Sequence, residues 1–184
     1  MIVLYTKSLQ KYLEIPGNGV KLPDSINQDA LWHGNLFLHQ RKKVLQLTHA
    51  STRYTIFIHG ITKKDLHNLN SLILKHLRHH MIQEHIPLQD MNYIDSLSNK
   101  AFSYFKKPDR KVTGTMTAMR KVYEHLCYSS TQINDKAFSY QINHMITTIN
   151  NAYQEPIDVF KEYMSEARDI YNAIKNNEFE NEGR

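Results

Sequence analysis

The chain has 184 residues, of which 41% are hydrophobic and 22% charged, with a formal net charge of +5. These values suit one globular domain able to bury a core, and they exclude a disordered or fibrous chain. No apolar run reaches the roughly 18 residues that a bilayer span needs, no signal peptide is read in "MIVLYTKSLQKYL", and the single cysteine, Cys127, excludes an internal disulfide and a multi-cysteine zinc site; a cytoplasmic protein is the expectation.

"IVLY" at 2–5 predicts a short strand. "KSLQKYLEI" then predicts a one- to two-turn helix with Leu9, Tyr12 and Leu13 inward, ended by "PGNG", with loop over 17–30. Residues 32–60 predict three antiparallel strands. With Arg41-Lys42 as a two-residue turn, Leu38 opposes Leu45 and Leu36 opposes Leu47. With "ASTR" at 50–53 as the second loop, Leu47 meets Ile56 and Leu45 meets Ile58. One face then carries Leu36, Leu38, Leu45, Leu47, Tyr54, Ile56 and Ile58, a pattern that a one-residue slip would scatter. The same register puts His39 and His59 on the other, less buried face, roughly 10 Å apart across the strand bearing Val44. His33 lies at a strand end and His49 at the rim of the apolar face, so the four histidines do not converge on a metal.

Thr62 opens a long helix. "TKKD" has capping-box spacing with Asp65 in the acidic position, and Leu66, Leu69, Ile73, Leu77 and Met81 form an apolar stripe. Pro87 marks its end, and a shorter helix over 88–97 runs through Leu88, Met91, Ile94 and Leu97. "KAFSYFKK" at 100–107 reads as a fifth strand. Met116, Met119, Tyr123 and Leu126 define another amphipathic helix. "KAFSYQIN" from Lys136 echoes the fifth strand, yet Phe138, Ile142, Met145, Ile149 and Tyr153 fall on a helical stripe, so the echo is not a structural repeat. Pro156 suits the first position of a last helix with Ile157, Phe160, Met164, Ala167 and Ile174 inward. The expected fold is α+β, a mostly antiparallel sheet of four to five strands covered by helices on one face. Its units are an α+β domain over 1–150 and a C-terminal helix over 151–184 that frays from about 176.

Candidate chemistry is sparse. His76, His80 and Glu84 share one side of a helix, but the zinc-protease order is absent, since Leu77 follows His76; a solvated polar face is expected. Cys127 reads as a buried thiol, and Asp158, Glu162, Glu166 and Asp169 as a solvated acidic stripe. No metal or cofactor is expected. In "KKPDRKVTGTMTAMRK" at 106–121 a basic turn enters a helix at Thr113, Thr115 and Thr117. Free N–H groups there, with Arg110 and Lys111, would suit a phosphate or carboxylate, unless Thr113 or Thr115 is an N-cap and Gly114 a bend. Charge is uneven: residues 1–128 hold 18 Lys/Arg and 9 Asp/Glu, and residues 129–184 hold 5 and 9.

"YTKSLQKYL" at 5–13, "WHGNLFLHQRKKVLQLTHASTRYTIFIHG" at 32–60 and "DRKVTGTMTAM" at 109–119 together resemble a bacterial and phage family known only as a domain of unknown function, the 6933 family. That family has a Cys-Thr-Lys-Lys-Leu start, a Trp-His-Ala-Asn-Leu strand, a basic hairpin and a later Arg before a Gly-Ser-Met-Asn helix entry. Tyr5 here replaces the cysteine, Gly34 the alanine, and Thr115 and Thr117 the serine and asparagine. The resemblance covers about residues 1–150, implies a mixed α/β fold and no activity, and singles out Thr6, Lys7, His33, Asn35, Arg110 and Gly114.

Three functions are compatible with these residues. The first is a non-enzymatic interaction protein of phage or mobile-element type. It would bind a protein partner, such as a host defence or regulatory factor, through Arg41, Lys42, Lys43 and the adjoining polar sheet face. The second is a nucleic-acid-binding accessory protein that uses the basic clumps. The third is an enzyme or sensor for a phosphate-bearing small molecule, which requires Lys7, His33 and Arg110 to meet near Thr115.

Overall fold

The computed structural model describes residues 2–15, 31–91, 103–106, 109–130 and 132–182. The strands are β1 (Ile2–Tyr5), β2 (Leu31–His39), β3 (Lys42–His49), β4 (Thr55–Ile61) and β5 (Ser103–Lys106), with a separate hairpin of β6 (Thr147–Ile149) and β7 (Ala152–Gln154). The helices are α1 (Lys7–Tyr12), α2 (Leu69–Gln83) behind a 3-10 segment at Lys63–Asn68, α3 (Arg110–Ser129), α4 (Asp135–Asn143) and α5 (Pro156–Glu182). Five strands form one sheet in the order β4-β3-β2-β1-β5. β1 is parallel to both β2 and β5 and the meander is antiparallel, so the sheet is mixed. The fold is α+β.

The meander keeps the expected sidedness with a different first turn. Gln40 and Arg41 form it, Leu36 opposes Leu45, and Leu38 opposes Lys43. The offset from the expected pairing is two residues, and an even offset returns every side chain to its own face. Leu36, Leu45, Leu47, Tyr54, Ile56 and Ile58 are therefore buried together, while Leu38 lies beyond the helices and is 64% exposed. The second hairpin pairs Leu45 with Ile58 and Leu47 with Ile56, as expected. Gly60, with φ +79°, supplies the extra residue of a bulge between Val44 and Lys43.

Leu9 and Tyr12 of α1, the Leu69, Ile73, Leu77 and Met81 stripe of α2, and Ile157, Phe160 and Met164 of α5 cover this leucine face. Fully burying one such side chain stabilises the fold by about 1.5–3 kcal/mol. The capping box at Thr62 and Asp65 forms ahead of α2. Gly34 permits α1 to approach closely, because a Cβ there would lie 2.6 Å from Leu9 Cδ2.

The opposite face is covered as well, which corrects the expectation of helices on one face. Met119, Tyr123 and Cys127 of α3 pack with Phe138 and Ile142 of α4 onto Phe37, Val44 and Phe57. Tyr123 stacks on Phe57 at 4.3 Å between ring centroids. Gln46, fully buried, donates from Nε2 to the Met116 carbonyl at 3.0 Å. Alternation along the meander hid this second core, since its row holds Phe37, Val44 and Phe57 among Asn35, Gln46 and the histidines.

α4 does more than pack. β4 is an edge strand, and the N–H groups of Thr55, Phe57 and His59 point away from β3. Asn143 Oδ1 accepts from Thr55 at 2.8 Å, Ser139 Oγ from Phe57 at 3.2 Å, and Asp135 Oδ2 from His59 at 2.6 Å. Asn143 also donates to the Thr55 carbonyl at 2.9 Å. Four residues of helix rise about 6.0 Å and two residues of strand about 6.8 Å, so acceptors at 135, 139 and 143 meet donors at 59, 57 and 55 in antiparallel order.

Two further expectations change, the stripe through Tyr153 and the burial of Leu88. The stripe predicted through Tyr153 stops at Asn143; Asn150 and Asn151, with φ of 51° and 67°, turn the β6–β7 hairpin instead, Ile149 is buried, and Met145 and Tyr153 are exposed. The backbone of α5 is helical to Glu182, and its first turns carry the expected Ile157, Phe160 and Met164 inward. Leu88 is exposed and Met91 buried, whereas Ile94, Leu97, the Ile174 side chain and the loop over 17–30 lie outside the described residues. His144 ties the elements together at one corner, with Nε2 3.0 Å from Glu84 and Nδ1 3.2 Å from Glu155.

Replacing Asn143 with Ala removes an acceptor and a donor from a dry site, and should cost about 2 kcal/mol or more in urea unfolding. A change below about 0.5 kcal/mol, the range of neutral surface substitutions, would show that α4 does not hold the edge.

Candidate functional site

The second layer of helices changes the status of the histidines. His33, His39 and His49 are all buried, none sitting on the less buried face or at an open edge. His49 lies between Trp32 at 5.0 Å and Tyr163 at 4.5 Å. His39 and His59 approach to 6.3 Å between ring centroids, closer than their strand spacing alone gives; His39 packs on Tyr123 and Tyr128, and His59 Nδ1 reaches the Tyr123 hydroxyl. Among the described residues no three His, Cys, Asp or Glu side chains converge as a metal site.

Burial sets the protonation of these groups. His33 is pushed down to about 4 by desolvation, with Asp109 opposing and Arg53 adding to the shift. His80 falls to about 3, again through desolvation, and with His76 and Lys136 nearby. The side of α2 holding His76, His80 and Glu84 is thus no solvated face: His80 and Glu84 are buried, and burial raises the Glu84 carboxyl. Tyr123 donates to Asp135 Oδ1 at 2.7 Å, and His59 Nδ1 sits 3.3 Å from the same hydroxyl. Desolvation first, then Asp135, drives the Tyr123 phenol far above its ordinary range, and burial raises the Cys127 thiol. None of these groups is poised as a nucleophile at neutral pH.

The start of α3 differs from its sequence reading. Asp109 is the N-cap, and its Oδ1 accepts from Lys111 at 2.6 Å and Val112 at 3.2 Å. Gly114 is inside the helix, and the hydroxyls of Thr113, Thr115 and Thr117 bond back to backbone carbonyls. The N–H groups expected to hold an anion at Thr115 are therefore occupied by a carboxylate, which corrects that expectation. Arg110 and Lys111 are exposed beside it. Thr6, Ser8 and Asn35 do converge: Asn35 Oδ1 accepts from Thr6 Oγ1 at 2.9 Å and Ser8 Oγ at 3.1 Å. They stand where β1 ends and α1 begins, with Lys7 exposed between them. His33, one row back beside Leu4, takes no part in that cluster and feels the charge of Asp109 instead. The family-like positions thus divide into a Thr6–Asn35 cluster and a His33–Asp109 cluster.

The hairpin tip is the remaining expected surface. Arg41 and Lys42 are exposed, but Lys43 lies 4.9 Å over the Tyr12 ring, committed to α1. The adjoining polar sheet face is covered by α3 and α4 and is not available to a partner. In its place Tyr128, 79% exposed, stands 5.5 Å from His39. Nothing in the alternation of the strands marks Tyr128; only its place at the far end of the Tyr123 helix does. The acidic row Asp158, Glu162, Glu166 and Asp169 is exposed, as expected.

Residues 2–159 match the profile of a domain of unknown function, DUF6933. No curated protein matches the chain. No helix among the described residues is long and apolar enough to cross a membrane.

His33 and His80 bind protons more weakly folded than at the ordinary value of 6.5. Their contribution to stability is full above about pH 6.5, declines as pH falls through that value, and is lost only near the folded values. Each steepens the decline by up to about 1.4 kcal/mol per pH unit. Urea unfolding between pH 7 and 5 should show this slope, and His33→Gln should reduce it; a wild-type stability flat over that range would contradict the assignment.

Proposed function

The chain belongs to the DUF6933 family, and on that footing we propose that it is a non-enzymatic interaction protein whose β2–β3 tip docks on an acidic surface of a protein partner. One observation carries the reading. Arg41 is held at φ 64° beside Gln40 at φ 45°, in a two-residue turn that favours Asn-Gly. Left-handed backbone at such residues costs of order 1 kcal/mol each. The chain keeps a long cationic side chain there, next to exposed Lys42, with exposed Leu38 on one face of the hairpin and exposed Tyr128 beside His39 on the other. Arginine and tyrosine are the residues enriched at the energetic centres of protein interfaces.

The buried groups support the same reading from the other side. His33 and His80 are neutral and enclosed, and burial raises the Cys127 thiol and the Tyr123 phenol, so these chemistry-bearing side chains serve the core. Exposed cations alone would equally attract nucleic acid, but the exposed leucine favours a protein surface.

Two outcomes follow. Arg41→Gly should stabilise the fold by about 0.5–1 kcal/mol while weakening capture of the partner, and Arg41→Glu with Lys42→Glu should weaken capture at least tenfold with unchanged stability. Pull-down from host lysate with the wild type and both variants checks capture, and urea unfolding of the same three proteins checks stability. Equal capture by the charge-reversed protein would remove the proposal. Tight, steeply salt-dependent binding of a plain DNA duplex would transfer the tip to nucleic acid.

A further inference from the structure

At the opposite end of β3 from the tip, the β3–β4 loop carries Arg53 within electrostatic reach of Asp109, the N-cap of α3. Its backbone is left-handed, with φ 63°, and the residue is only 9% exposed. Its Nε is buried without a hydrogen-bond partner among the described residues, and none of the ion pairs among them includes it. A largely buried arginine whose Nε lacks a partner and whose charge has no anion within ion-pair distance among the described residues is expensive, since its desolvation is normally offset by a carboxylate or phosphate held in its fork.

The neighbours repeat the pattern. Strand register sets His33, Thr48 and Thr55 in one row across the sheet, and Arg53 precedes Thr55 by two residues. Thr48 and Thr55 satisfy each other at 2.8 Å. His33 is 1% exposed, and its Nδ1 is a second orphan among the described residues. Asp109 acts on both Arg53 and His33 at longer range, but its Oδ1 is engaged by the N–H groups of Lys111 and Val112. Exposed Arg110 and Lys111 outnumber that carboxylate at the rim.

We propose that Arg53 and His33 form a binding site for an oxyanion, the carboxylate or phosphoryl group of a small ligand, held by the Arg53 fork with His33 Nδ1 as the second contact. The guanidinium presents coplanar donors that fit either group in two parallel bonds. The site is separate from the β2–β3 tip, so its failure leaves the docking proposal standing, and the reverse holds.

The test is calorimetric titration of the whole chain with inorganic phosphate and, separately, with acetate at fixed ionic strength, followed by NMR of the His33 imidazole. One saturable site is expected for at least one anion, with the His33 ring resonances shifting along the same isotherm. Stronger phosphate binding assigns a phosphoryl ligand and stronger acetate binding a carboxylate. Arg53→Gln should weaken binding at least tenfold. Arg53→Lys, which keeps the charge without the fork, should also weaken it and serves if the glutamine variant does not fold. No saturable binding of either anion, wild-type affinity in the lysine variant, or a His33 ring that does not respond would each overturn the site.

Discussion

The structure depends on how the outer edge of β4 is closed. An exposed strand edge presents a row of unpaired N–H and C=O groups that invites another chain. Here three side chains of α4, at positions 135, 139 and 143, take the place of a sixth strand. That arrangement fixes α4 in register with β4, and α4 with α3 then encloses the second face around Tyr123. A helix that only packed on the edge could slide; one that answers successive amides cannot.

Most of the chemistry follows from that enclosure. Residues that a one-layer sheet would leave wet become dry, so His33 and His80 are neutral and Tyr123 is a donor to Asp135. In the second core Gln46 Nε2 is matched by the Met116 carbonyl and Thr48 by Thr55, while Gln46 Oε1, His39 Nε2 and His59 Nε2 are buried without a partner among the described residues. Two places stand apart from the cores. At the tip, cations and a leucine stand free of the core, and in the β3–β4 loop an arginine is buried without an ion-pair partner among the described residues. Departures from otherwise consistent packing are where function is expected.

Periodicity read the leucine face well, because one core dominates the alternation of β2, β3 and β4 and the three- and four-residue spacing of α2. It missed the second core, where Phe37, Val44 and Phe57 are diluted by Asn35, Gln46 and His39. It also extended the helix from Phe138 through Tyr153, since Ile149 happens to fit the stripe while Asn150-Asn151 supplies a hairpin turn instead. The two copies of "KAFSY" show the limit most plainly. The first enters an edge strand beside β1, and the second is a helix whose Ser139 caps the Phe57 amide. Their letters are alike, and what surrounds them is not. Of the site, the exposed cations were legible from composition, but the isolation of Arg53 was not, since it depends on a loop and strand row meeting a helix start more than 50 residues further along the chain.

Amide hydrogen exchange at Thr55, Phe57 and His59 tests the closure of the β4 edge most directly. If α4 holds the edge, these three amides exchange only through opening of the whole domain, as slowly as those in the middle of β3. Exchange at the rate of a solvent-exposed strand edge, with β3 still protected, would contradict the account.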